Sequence, residues 1–90
     1  MTATATINPL KKSKKAIQRV TTDPRTVRLE LGLNQKDFWT RYGVTQSGGS
    51  RYETGRAMDL PLRMIMALHA AGRIDEGDLK DLHAVLDDAG

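Results

Sequence analysis

Gln46, Ser47, Ser50, Arg51 and Thr54 lie one, three, one and three positions apart, a spacing that puts them on one face of a short helix. All five are short or forked hydrogen-bonding groups and none is acidic. Glutamine can pair bidentately with N6 and N7 of adenine, and arginine with O6 and N7 of guanine. The chemistry on offer is therefore hydrogen bonding to base edges in a duplex groove. An ordinary solvated helix face would use the same residue types, so the flanking sequence has to decide between the two.

The elements that must hold this face are all helical. No useful stretch alternates with period two, no internal repeat is visible, and glycines punctuate the apolar periodicity. Asp23 and Pro24 form an N-cap and first-turn proline, opening a helix over 24–31 that presents Val27 and Leu31 and stops at Gly32. Asn34 caps a second helix over 35–42, with Asp37 placed to complete a capping box and Phe38 and Tyr42 four apart. Gly43 turns the chain, Val44 anchors the turn, and Thr45 caps the third helix, which ends before Gly55. A fourth helix from Asp59 or Leu60 to Gly72 aligns Leu62, Ile65, Met66 and His69. A fifth, from Asp75, carries Leu79, Leu82, His83 and Leu86. The expected fold is all-α: five short helices in one compact domain over 23–90, preceded by a basic, flexible arm over 1–22, of which 8–22 is able to become helical on contact with DNA or a partner.

Three elements in register then point to a family. Leu31, Gly32, Leu33, Asn34 and Gln35 form a helix junction; Gly43 and Val44 let two helices cross sharply; Tyr52, Glu53, Thr54 and Gly55 close the third helix. The stretch from about 23 to 72 resembles the Cro and lambda-repressor-like helix-turn-helix domains, including the 434-repressor type. The resemblance implies a five-helix DNA-binding fold. It places Gln46 and Ser47 at base-contacting positions, with Ser50, Arg51 and Thr54 at the next exposed ones. It makes Gln35 a phosphate contact that also braces Gln46, with Lys36, Thr45 and Arg56 as further phosphate ligands. Physically, the N-terminal amides of the second helix add an anion site beside Gln35.

Two structural pairs follow. Arg28 and Glu53 match a partly buried ion pair of the 434-like repressors, linking the first helix to the end of the third. Trp39 and Gly49 depart from the family pattern, which has alanine and a branched residue there. We read the departure as a volume swap, the indole filling the space left by Gly48 and Gly49. The swap offsets a double-glycine cost of roughly 2 kcal/mol in helix propensity, and Gly49→Val should overpack the site. The alternative is a Trp39 exposed for a partner.

Charge divides the chain. Residues 1–22 carry Lys11, Lys12, Lys14, Lys15 and Arg19 and no acid; residues 74–90 carry Lys80 against six acids; the whole is +3. A basic front and acidic rear would orient the molecule toward a polyanion. Lys11, Lys12, Lys14 and Lys15 resemble a DNA-embracing arm making phosphate contacts; the alternative is a solvated tail. Met1–Ile7 is expected to be disordered, with Asn8 and Pro9 able to cap a short helix, and Leu10, Ile17 and Val20 give only a thin stripe. With no cysteine there is no disulfide or thiolate zinc site, and His69 and His83 lack partners at metal-ligand spacing, so neither metal nor cofactor is expected.

No nucleophile–base grouping or phosphate-cradling glycine loop emerges, so an enzyme is not expected. With no secretory pattern or bilayer-length apolar run, the expected setting is the cytoplasm of a bacterium or the product of a phage. The expected partner is double-stranded DNA carrying an inverted repeat, bound by a homodimer joined through Leu79, Leu82 and Leu86. An antitoxin-type module that binds a protein and also DNA, and an architectural protein without sequence preference, are the competing readings.

Overall fold

The computed structural model describes residues 9–89, so the expectations for Met1–Ile7 and the cap at Asn8 lie outside it. Seven helices and no strand occur among the described residues: α1 Pro9–Lys12, α2 Lys14–Thr22, α3 Pro24–Glu30, α4 Gln35–Thr40, α5 Gln46–Glu53, α6 Leu60–Ala70 and α7 Glu76–Ala89. The fold is all-α, and the five helices read from 24 onward are all present.

Local chemistry sets their ends. The side chains of Asp23, Asn34, Thr45 and Asp59 accept hydrogen bonds from the backbone amides of Thr26, Asp37, Gly48 and Leu62, each satisfying an otherwise orphaned donor. Asp75 and Asp78 exchange backbone-to-carboxylate bonds at 2.8 Å in both directions, a reciprocal capping box ahead of α7. Gly43, at φ +77°, makes the turn between α4 and α5. A Cβ there would meet nothing within 4 Å, so the requirement is the left-handed backbone and not space.

One expectation changes. Lys14–Thr22, expected within a flexible basic arm that turns helical only on contact with a partner, is already a helix packed on the chain's own core, with Val20 only 4% exposed. Ile17 is half-buried, α2 packs chiefly against α6, and Arg19 pairs with Glu30 of α3 at 2.7 Å. The stripe is thin because α2 contributes essentially one residue to a core that other helices complete. Phe38, Trp39, Leu62 and Met66 join Val20 there, with Val27, Leu33, Val44, Tyr52 and Ile65 packed around them.

The C-terminal helix is latched by polar contacts. Glu76 accepts from Arg41 and lies 2.8 Å from His69 Nε2, while His83 Nε2 donates to the carbonyl of Arg41 at 3.1 Å. The Arg41 guanidinium also lies over the rings of Phe38 and Tyr42, and Tyr42 Oη lies 2.7 Å from His69 Nδ1. This docking turns Leu79 inward, where it shares a cleft with Arg41, Tyr42 and Ile65 and is 4% exposed. Leu79 therefore belongs to the chain's own packing, and the expectation that it joins a dimer interface does not hold. Leu82 and Leu86 stay exposed, and Val85 joins them.

Candidate nucleic-acid interface

α5 has two unlike sides. Gln46, Ser47, Arg51 and Thr54 are exposed and Ser50 half-exposed, while Gly49 is buried and Tyr52 and Glu53 face inward. The exposed set runs along one side for the helix's full length and carries no acid. Thr54 differs from the other four: its hydroxyl donates back to the carbonyls of Ser50 and Arg51 at 3.0 and 3.1 Å, so that proton is already engaged.

Trp39 supports the inner side. Its side chain has no exposed surface, which removes the reading of an exposed partner-binding tryptophan. An ideal Cβ at Gly49 would sit 2.1 Å from Trp39 Cδ1 and 2.2 Å from Cγ, inside any tolerable contact. The indole thus occupies the volume a side chain at 49 would need. Its Nε1–H donates to Glu53 Oε2 at 2.7 Å, and its ring packs 5.5 Å from that of Tyr52. Gly48 is less constrained, since a Cβ there would lie 3.2 Å from Val44 Cγ1.

Glu53 gathers the helices. Arg28 donates from Nε to Oε2 at 2.8 Å and from Nη2 to Oε1 at 3.0 Å, a bidentate pair, and also bonds the carbonyl of Leu33 at 3.0 Å. Gln35 Nε2 donates to Oε1 at 3.3 Å. The Glu53 side chain is 1% exposed. Burial alone would push its carboxyl up, but the hydrogen bonds from Arg28, Trp39 and Gln35 together outweigh that and hold it below its ordinary value. The hydrogen bonds and charge of Glu53 in turn raise Arg28 against the opposing effect of burial. The family resemblance implies that Gln35 braces Gln46; its amide goes to Glu53 instead, because a buried carboxylate is the stronger acceptor.

The remaining cations stand on the surface. Lys36 and Arg56 are exposed, Arg56 with its guanidinium 5.8 Å from the Tyr52 ring centroid. Lys11 and Lys12 lie on α1, and Lys14 and Lys15 in the first turn of α2, all exposed. Thr45 spends its hydroxyl oxygen on the Gly48 amide. Among the described residues no group of His, Cys, Asp and Glu could hold a metal ion, and no helix is long and apolar enough to cross a membrane.

Two helices joined by a glycine turn, the second displaying a polar face, form a helix-turn-helix. The family model for the RsaL-like HTH domain matches residues 25–69, half of the chain. The chain belongs to the RsaL-like HTH domain family. The matched stretch runs from α3 through most of α6, taking in Arg28, Trp39, all of α5 and Glu53. The RsaL-like assignment establishes a helix-turn-helix DNA-binding domain, while the narrower Cro and lambda-repressor likeness is one of sequence motifs. No curated protein and no solved structure matched the chain.

Proposed function

We propose that this protein is a sequence-specific transcriptional regulator, a small homodimeric repressor that reads an inverted-repeat operator through the major groove with α5. The carrying observation is the acid-free polar face of α5 on a helix whose inner side is fixed to α3 and α4. Gln46, Ser47, Ser50 and Arg51 contact base edges, Thr54 contributing its methyl and oxygen. Gln35, Lys36, Thr45 and Arg56 contact phosphates around them, and Lys11, Lys12, Lys14 and Lys15 extend the basic surface. Arg51 and Gln46 carry the bidentate readout, so they dominate discrimination.

Dimerisation runs through Leu82, Val85 and Leu86, three exposed apolar residues on one stretch of α7. A single module of this size covers too little DNA for tight specific binding, whereas two copies span half-sites about 34 Å apart. Occupying a promoter then suffices for repression. The same apolar stretch is the surface an antitoxin-type protein contact would use.

Selection of bound sites from random duplex DNA tests this. A palindromic consensus is expected, with half-sites one helical turn apart. Retention of DNA without enrichment of any sequence would refute sequence reading and leave an architectural binder.

A further inference from the structure

We propose that Trp39 is a specificity-positioning residue: it touches no DNA, yet it sets the depth and tilt at which α5 presents its reading face. The proposal rests on the DNA-reading assignment above and adds to it the element that makes the reading accurate.

The indole meets α5 at two points. Its ring lies against Gly49, where no side chain intervenes, and its Nε1–H is bound to Glu53 Oε2 at 2.7 Å. Residues 49 and 53 are one turn apart, about 6 Å along the axis, on the same inward side. One contact would fix only a distance. Two contacts along an axis fix distance and tilt together, and both come from one rigid bicyclic ring. That ring is itself held, being fully buried with the Phe38 ring edge-on at 5.1 Å.

The displayed residues make this matter. Ser50 follows Gly49 directly, Arg51 is the next residue, and Gln46 and Ser47 lie one turn before Ser50 and Arg51. Ser47 and Ser50 are too short to compensate for a shifted backbone, and base pairing by Gln46 is directional. Such contacts need positioning to about 0.5 Å, which phosphate contacts from long lysine and arginine side chains do not. Losing the gauge therefore weakens discrimination before it weakens general affinity.

Glu53 makes the test clean. Without the indole N–H, its carboxylate still has the bidentate Arg28 pair and the Gln35 amide, so it remains charge-paired. Trp39→Phe keeps an aromatic filler and removes the hydrogen bond. Affinities for a duplex carrying the selected site and for a scrambled duplex of the same composition are measured at one salt concentration, with far-UV circular dichroism to verify folding. The ratio of the two affinities is expected to fall by about tenfold or more, comparable to one lost base contact, while affinity for the scrambled duplex stays within about twofold. If Trp39→Phe loses its helical signal, Trp39→benzothienylalanine, which keeps the bicyclic shape without the N–H donor, is read in its place. An unchanged ratio in the folded variant overturns the proposal, whatever happens to overall affinity. If the wild-type protein itself shows no preference between the duplexes, the DNA-reading assignment fails first.

Discussion

Arg28 and Glu53, 25 positions apart in sequence, meet in a two-pronged ion pair in which the carboxylate is almost wholly removed from water. The pair joins α3 to the last residue of α5, so the end of α5 is fixed to the first helix of the family-matched stretch. Its worth lies in geometry more than in net stability, because desolvating both charges offsets much of their attraction.

Removing one partner is a different matter, since it strands the other charge. Arg28→Ala and Glu53→Ala are each expected to cost about 3 kcal/mol. The double variant should cost less than the two losses added, by at least about 1 kcal/mol. Urea unfolding of the four proteins measures this, and strictly additive losses would mean the pair does not act in solution.

Acid should find the same carboxylate. Glu53 is held below its ordinary value of 4.5, so its folded-state stabilisation is fully present above that pH and is lost as pH falls below it, through the depressed folded value. The wild-type protein is therefore expected to lose stability steadily below about pH 4.5. Glu53→Gln should show a shallower acid limb. Asp23, also held low by its bonds to Thr26, is present in both proteins and cancels from the comparison. Parallel acid limbs would contradict the assignment.

Trp39 and Gly49 share one volume, so their substitutions should not be independent. Gly49→Val drives a branched side chain into the indole and is expected to destabilise the fold by about 3 kcal/mol. In a Trp39→Ala background the space is vacated, and Gly49→Val should then cost clearly less. Thermal unfolding of the two pairs decides; an equal cost in both backgrounds would place the indole elsewhere.

The two ends of the α7 leucine series should behave differently. Leu79→Ala removes a buried side chain and is expected to lower stability by about 2 to 4 kcal/mol at any protein concentration. Leu86→Ala, at a residue 65% exposed, should leave a dilute sample unchanged and weaken self-association. Sedimentation at several concentrations, paired with unfolding curves, separates them. Leu86→Ala that lowers dilute-sample stability as much as Leu79→Ala would contradict the division.

Much of this was legible in the sequence because it is local chemistry. Asp23, Asn34, Thr45 and Asp59 cap helices where their types and spacing require, and Gly43 takes the backbone no other residue adopts readily. The Trp39 and Gly49 exchange was visible because both residues break a pattern at facing positions. α2 was not legible as a core helix: Val20 is buried only because α6 comes back against it, and no window around Val20 contains that partner. Leu79 misled for a related reason. An apolar stripe shows which side of α7 avoids water, but only the Arg41, Glu76 and His83 contacts determine which of its residues the chain itself covers. Gln35 was assigned by likeness, and the competing acceptor at Glu53 lies 18 residues away.

The outer side of α5 is where sequence discrimination is expected to reside. The most direct measurement is competition binding of the Gln46→Ala, Arg51→Ala double variant against the selected site and its scrambled counterpart. Neither side chain is buried, so the fold should survive and circular dichroism should be unchanged. Each bidentate contact is worth about 1 to 3 kcal/mol of discrimination, so preference for the selected site should fall at least about thirtyfold, with scrambled-site affinity reduced mainly by the lost arginine charge. A folded double variant that still prefers the selected site as strongly as the wild-type protein would show that another surface does the reading.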